Sequence, residues 1–200
     1  MSIFHFEIFV EEPSMEHFIS ILLPKIIKNQ TFRIYRHNGK SDLLRKLPQR
    51  LSSYRNWLPR DYRIIIILDR DSENCVDLKN RIQDMVRAAF LKNRADNSDG
   101  HFQVLTRIAI EELEAWYFGD WEAVKAAYPR VNQTNKIRDP DSIKGGTWEL
   151  FERTMQKAGY FVGGLRKTEA AQSIAPYINA ENNRSPSFNA FYRAMVTMCS

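Results

Sequence analysis

Five consecutive apolar residues, Ile64-Ile65-Ile66-Ile67-Leu68, followed at once by Asp69-Arg70-Asp71, constrain this chain more than any other feature. β-Branched side chains are stiff at χ1 and favour extended backbone. A strand over Tyr62–Leu68 with no polar face must be covered on both sides. That is the environment of a central strand in a parallel sheet with helices on each face. The run is far too short to cross a bilayer, which takes ~20 apolar residues, so no membrane association is expected.

The flanking segments agree with such a sheet. Phe4 to Val10 reads as a strand, Glu11-Glu12-Pro13-Ser14 ends it, and Phe18, Ile19, Leu22, Leu23, Ile26 and Ile27 then recur at helical spacing. Thr31 to Tyr35 reads as a second strand, His37-Asn38-Gly39 as a turn, and Ser41 as a helix N-cap. Leu44, Leu47, Leu51, Tyr54 and Leu58 share a helical stripe that Pro48 should break or kink. A helix is predicted over Val76–Leu91, a polar loop over Asn93–Gly100, a strand over Phe102–Ile110, and a helix through Trp116 and Trp121 to Tyr128. Alternating strands and helices give an α/β fold with a mostly parallel sheet flanked by helices. That core occupies residues 1–130. Residues 131–200 contain no clear strand and read as a helical and loop appendage packed on it, turning at Lys144-Gly145-Gly146 and Gly163-Gly164.

Composition narrows the class. At 200 residues, 44% hydrophobic and 26% charged, the chain can bury a real core and is not disordered. Cys75 and Cys199 lack zinc-site spacing and are too few for a disulfide framework, so both read as free thiols. The N-terminus has no Lys or Arg ahead of its apolar residues and turns acidic by Glu11, unlike a signal peptide, which leads to a cytoplasmic expectation. Between Lys40 and Arg60, six cations (Lys40, Arg45, Lys46, Arg50, Arg55, Arg60) face Asp42 alone. This strip is either a solvated helix face or a surface that steers a polyanion.

In open parallel sheets, ligands bind beyond the carboxyl ends of the strands. Glu11, the pair Asp69 and Asp71, and the group Glu111, Glu112 and Glu114 each follow a predicted strand. Converging carboxylates repel one another and are stable as anions mainly with a cation between them. Hard oxygen donors select Mg²⁺ or Mn²⁺ over zinc, and such an ion can bind a phosphate oxygen and activate water. The ordinary alternatives are capping of the next helix by an aspartate, a helix-dipole role for Glu111 and Glu112, and a solvated Glu11. His5, His17, His37 and His101 fall at no ligand spacing and read as structural or surface residues; Trp116, Tyr117 and Trp121 read as core.

The stretches Ile8-Phe9-Val10-Glu11-Glu12 and Ile66-Ile67-Leu68-Asp69-Arg70-Asp71 resemble the Glu and Asp-x-Asp motifs of the Toprim domain of type IA topoisomerases, DnaG-type primases and OLD-family nucleases. More closely, Val10-Glu11-Glu12-Pro13-Ser14, Gly39-Lys40-Ser41-Asp42-Leu43-Leu44, Leu68-Asp69-Arg70-Asp71, Ile110-Glu111-Glu112-Leu113-Glu114-Ala115-Trp116 and Asn183-Arg184-Ser185-Pro186-Ser187-Phe188 are similar to the DUF4276 family of bacterial proteins. The resemblance implies a Rossmann-like Toprim core and metal-dependent phosphodiester chemistry. It also implies a neighbouring ATPase of AAA or ABC type in a phage-defence setting. Glu11 then stands as the Toprim glutamate, a metal ligand or general acid/base, and Asp69 and Asp71 as metal-binding aspartates. Glu112 and Glu114 complete the catalytic shell, with Glu112 counted among the ligands. The usual Toprim glutamate precedes a glycine, whereas Glu12 stands here.

The leading expectation is thus a Mg²⁺- or Mn²⁺-dependent nuclease acting on DNA or RNA, with Lys40, Arg45, Arg50, Lys167 and Arg184 contacting nucleic acid. In the last of these segments, Pro186 favours a loop over a helix, while Ser185 or Ser187 is a plausible cap for the helix holding Phe191 and Met195. Two rivals remain: a non-catalytic Toprim-like subunit that binds a partner ATPase, and a haloacid-dehalogenase-type phosphatase using Asp69 and Asp71. The phosphatase motif normally follows the first strand and continues with Thr or Val; here it follows the third strand and continues with Ser72.

Overall fold

The computed structural model describes residues 4–97, 101–131 and 137–199. Four strands, β1 (His5–Val10), β2 (Thr31–Arg36), β3 (Tyr62–Asp69) and β4 (Val104–Ala109), form one parallel sheet in the order β2-β1-β3-β4. The apolar run lies where its composition requires. β3 is hydrogen-bonded on both sides, and Ile64 to Leu68 are all fully buried.

Alternation along β3 divides the interior in two. Ile65 and Ile67, with Phe6, Ile8 and Val10 of β1, pack beneath α1 (Pro13–Ile27) and the helices of the second half of the chain. Ile64, Ile66 and Leu68, with Phe9, pack against α2 (Lys40–Tyr54) and α3 (Cys75–Ala88). The remaining helices are α4 (Leu113–Gly119), α5 (Trp121–Ala127), α6 (Thr147–Lys157), α7 (Lys167–Ile174) and α8 (Pro186–Cys199). None of the described helices is long and apolar enough to cross a membrane. Cys75 and Cys199 are free thiols.

Several local expectations need correction. Pro48 does not break α2, because Leu43, Leu44, Leu47, Leu51 and Tyr54 bury one continuous stripe that carries the helix across the lost hydrogen bond. The N-cap of α2 is Gly39, not Ser41; its φ of 89° is open to glycine and disfavoured for serine. The helix expected through Trp116 and Trp121 is two helices. Asp120 divides them: its Oδ1 accepts from Ala123 N at 3.2 Å to start α5, and its Oδ2 accepts from Asn179 N at 2.7 Å. The Val76 helix is shifted to Cys75–Ala88, with Phe90 in the left-handed region at φ 58° just after it. β4 is shorter than Phe102–Ile110. The polar loop holds a short 3₁₀ turn at Arg94–Asp96, while its residues 98–100 lie outside the described residues, as do residues 1–3 of the N-terminal reading.

The C-terminal helix α8 is tied to α4 through Trp116, whose ring also lies 5.7 Å from that of Phe18 in α1. The Trp116 ring stacks on Phe191 at 5.5 Å and meets Phe188 edge-on at 5.2 Å, and its Nε1 donates to Ser187 Oγ at 3.0 Å. Trp116, Tyr117 and Trp121 are core residues, as expected. Pro186 opens α8 instead of excluding a helix, since proline costs little in the first turn. Ser185 caps this helix, its Oγ accepting from Phe188 N at 3.1 Å. Beneath it, Asp141 accepts from Ser185 Oγ at 2.6 Å and from Ser187 N at 2.7 Å. Asp141→Ala leaves these buried donors without an acceptor, so urea unfolding should show a loss of about 1–3 kcal/mol. An unchanged midpoint would remove Asp141 as the anchor of this loop.

Candidate active site

From β1 the chain passes to β2 on one side of the sheet, and from β3 to β4 on the other. The helices that follow β1 and β3 therefore cover opposite faces and leave a crevice between the two strand ends, where ligands bind in open α/β sheets. Glu11 and Asp69 flank that crevice. Asp69 is the last residue of β3 and continues the series Ile65, Ile67 toward the α1 face. Glu114 reaches the same region from the first turn of α4. Exposure is 6% for Glu11, 2% for Asp69 and 1% for Glu114, and Glu11 Oε2, Asp69 Oδ1 and Glu114 Oε2 are buried without a hydrogen-bond partner.

Backbone hydrogen bonds join the strand-end loops in two pairs, β1 with β2 and β3 with β4. Gly39 N donates to Glu11 O at 2.7 Å, Arg70 N to Ala109 O at 2.9 Å, and Asp71 N to Glu111 O at 2.9 Å. Asp71 and Glu111 both adopt left-handed backbone, at φ 51° and 61°, a conformation that costs non-glycine residues free energy and clusters at functional sites. The side chains on these loops have separate tasks. Glu111 pairs with Arg70. Glu112 Oε2 accepts from Trp148 N at 3.0 Å, in the first turn of α6, and its Oε1 lies 4.0 Å from Lys167 Nζ. Glu114 alone among these glutamates is fully buried with an orphaned oxygen.

Burial dominates the electrostatics. It pushes the Glu11 carboxyl up to about 7, helped by the charge of Asp71 and opposed by Lys40. Burial, then Glu11 and Glu114, hold the Asp69 carboxyl well above the usual range. Glu114 is pushed up to about 7 by burial, against the opposing charge of Lys167. Glu112 is raised by burial and drawn back by Lys167. Burial works to lower the Lys167 ammonium, but Glu114, Glu12, Glu112 and Asp69 outweigh it, so Lys167 remains charged. Its Nζ lies 5.7 Å above the Trp148 ring.

Among the described residues, no three Asp, Glu, His or Cys side chains are placed so that together they could hold a metal ion. The donor chemistry nevertheless suits a hard divalent cation: three buried carboxylates, each with an oxygen lacking a proton donor, coupled through their fields. Three of the four histidines make contacts within the fold. His37 Nδ1 contacts Val10 O at 2.9 Å, His5 contacts Thr31 Oγ1 and Glu7 at 2.7 and 3.0 Å, and His17 contacts Gln172 at 3.1 Å.

The expected nucleic-acid residues do not share one location. Lys167 lies in the site, and Lys40 lies at its rim, bound to Asp71 and Glu73. Arg45 and Arg50 occupy the exposed side of α2, Arg45 paired with Asp42 at 2.5 Å and Arg50 placed 5.7 Å over the Tyr35 ring. Arg184 is exposed on the loop whose backbone docks at Gly119, the end of α4 away from Glu114. Sequence reasoning missed Trp148 and the partnerless Tyr117 hydroxyl beside Glu114. No spacing marks Trp148, whereas the position of Tyr117 three residues after Glu114 puts both on one helix face.

The family described as "Domain of unknown function (DUF4276)" matches residues 10–196. A solved structure, the C-terminal region of the OLD protein of Xanthomonas campestris pv. campestris, is similar with a TM-score of 0.51 and 13% identity, over 97% of this chain and 93% of that one. At that identity the likeness concerns the fold, which is Toprim-like: a four-stranded parallel sheet flanked by helices, with helices at its C-terminal end. No curated protein matches the chain.

The raised carboxyls set a pH dependence. Between about 4.5 and about 7 the folded protein keeps the Glu114 proton that the unfolded chain has released, so this contribution is full at the acid end and is lost as pH rises through 7. In chelator, the melting temperature should fall from pH 5 to pH 8. Glu114→Gln, which cannot ionise, should fall less steeply over the same window; parallel curves would contradict the assignment.

Proposed function

The chain belongs to the DUF4276 family, and we propose that it is a Mg²⁺- or Mn²⁺-dependent Toprim-like nuclease that hydrolyses phosphodiester bonds of DNA or RNA at the C-terminal edge of its sheet. The observation that carries this reading is the set of orphaned, buried oxygens on Glu11, Asp69 and Glu114 at the crevice between β1 and β3. These three residues would hold the ion, with Asp71 and Glu112 at the rim. The bound ion supplies Lewis acidity toward a phosphate oxygen and lowers the pKa of a bound water.

The chain's own groups account for the rest. Glu11, pushed up to about 7 by burial while no ion is bound, would release its proton on ligating the ion, so its part in the loaded site is that of a ligand. Lys167, kept charged beside Glu112 and against Trp148, offers an ammonium to the negative charge that grows on the phosphate during attack. Arg45 and Arg50 extend the cationic surface along α2, and Arg184 adds a cation beyond α4; such contacts make affinity salt-dependent. The partner best suited to the family resemblance is an ATPase of AAA or ABC type in phage defence. A second reading, an ion-holding subunit without turnover, is favoured by the engagement of Asp71 with Lys40.

The test is cleavage of labelled DNA and RNA by purified protein with Mg²⁺ or Mn²⁺, alone and with a neighbouring ATPase. Asp69→Asn keeps the side chain's shape and should lower turnover by at least ~100-fold. Wild-type rates in a folded Asp69→Asn protein would sink the catalytic assignment. Metal binding without turnover on any substrate would favour the subunit reading.

A further inference from the structure

Lys40 is built into the acidic edge rather than left on the surface. It opens α2 directly after Gly39, whose N–H is bound to Glu11 O at 2.7 Å, so the β2–α2 loop is pinned to the end of β1. From there the side chain, 11% exposed, crosses to the β3 loop. Its Nζ lies 2.6 Å from Asp71 Oδ2, 3.1 Å from Glu73 Oε1 and 3.0 Å from Arg70 O. An ammonium has three protons to donate, and three acceptors take them. Nothing remains for a phosphate, which removes Lys40 from the expected phosphate contacts as the side chain is arranged here.

The acids of the edge thus fall into two classes. Glu11, Asp69 and Glu114 have buried oxygens without partners, whereas the charge of Asp71 is answered at contact distance. A second divalent ion placed at Asp71 would have to displace an ammonium held by two carboxylates and a carbonyl. We propose that Lys40 is a resident cation that takes the place of a second divalent ion, so that the edge binds a single ion through Glu11, Asp69 and Glu114, with Asp71 outside its coordination shell. This rests on the metal-site reading above and adds to it the stoichiometry and the role of Lys40 as a positioning residue.

The test is Mn²⁺ titration by calorimetry of the full chain, stripped with chelator and dialysed, alongside Lys40→Gln, Lys40→Arg and the double variant Lys40→Gln with Asp71→Asn, with circular dichroism to verify folding. The wild type should bind one Mn²⁺ per chain. Removing a unit charge a few ångströms away should tighten Mn²⁺ binding by about tenfold in Lys40→Gln, or admit a second ion. Lys40→Arg keeps the charge and should stay within about threefold of wild type, as should the double variant Lys40→Gln with Asp71→Asn, which removes the two opposite charges of the pair together and no ligand on this assignment. Two ions in the wild type, an unchanged or weaker Lys40→Gln, or a tenfold loss in the double variant would each overturn the proposal while leaving the metal site standing. If Lys40→Gln alone does not fold, the double-variant titration decides. A wild type that binds no Mn²⁺ in calorimetry or electron paramagnetic resonance would overturn both the metal-site reading and this one.

Discussion

The covering of β3 on both faces is the constraint on which the rest of the structure depends. Residues Ile64 to Leu68 are fully buried, so Asp69, the next residue in the same strand, leaves the sheet at a point that water scarcely reaches. A carboxylate there is costly in isolation and strengthens every charge interaction made with it. The same apolar sequence that secures the sheet therefore sets the dielectric conditions of the site. The turn from β2 to α2 and the entry into α4 bring further charges to this point, and the left-handed backbone of Asp71 and Glu111 lets two loops bond to each other above it.

The charges at this edge are arranged in pairs around an uncompensated centre. Arg70 answers Glu111, Lys40 answers Asp71 and Glu73, and Lys167 stands beside Glu112. The central acids, Glu11, Asp69 and Glu114, lack such contacts at one oxygen each. Folding tolerates these groups because burial raises their pKa values and part of the charge is carried as bound protons. A site of this kind is electrostatically under-compensated, which is the property that the proposed cation would exploit.

Legibility from sequence followed the range of the forces involved. The strands, the α/β order and the strand-end position of Glu11 and Asp69 were readable because periodicity and burial are local properties of the chain, whereas the choice of Glu114 over Glu111 and Glu112 is made by α4 in three dimensions. Pro48, Ser41 and the break at Asp120 were misread because tertiary burial, the left-handed φ of Gly39 and the bond from Asn179 decided them. The basic strip was visible as composition, yet Lys40 and Arg45 turned out to hold acids within the protein. Charge content is written in the sequence; pairing is set by side-chain geometry in three dimensions. Trp148 illustrates the extreme, since its relation to Glu112 and Lys167 spans 36 and 19 residues and leaves no periodic trace.

The origin of Lys167 in α7 has a consequence for the order in which the molecule can be assembled. The sheet and its acids are complete in the chain by Glu114, but the ammonium that opposes Glu114 and Asp69 lies more than fifty residues downstream. During vectorial synthesis the acidic edge therefore emerges with Lys40 and Arg70 but without Lys167, which arrives only when α7 packs against α1. The field around Glu114 and Asp69 thus reaches its final form only when the far end of the chain has docked.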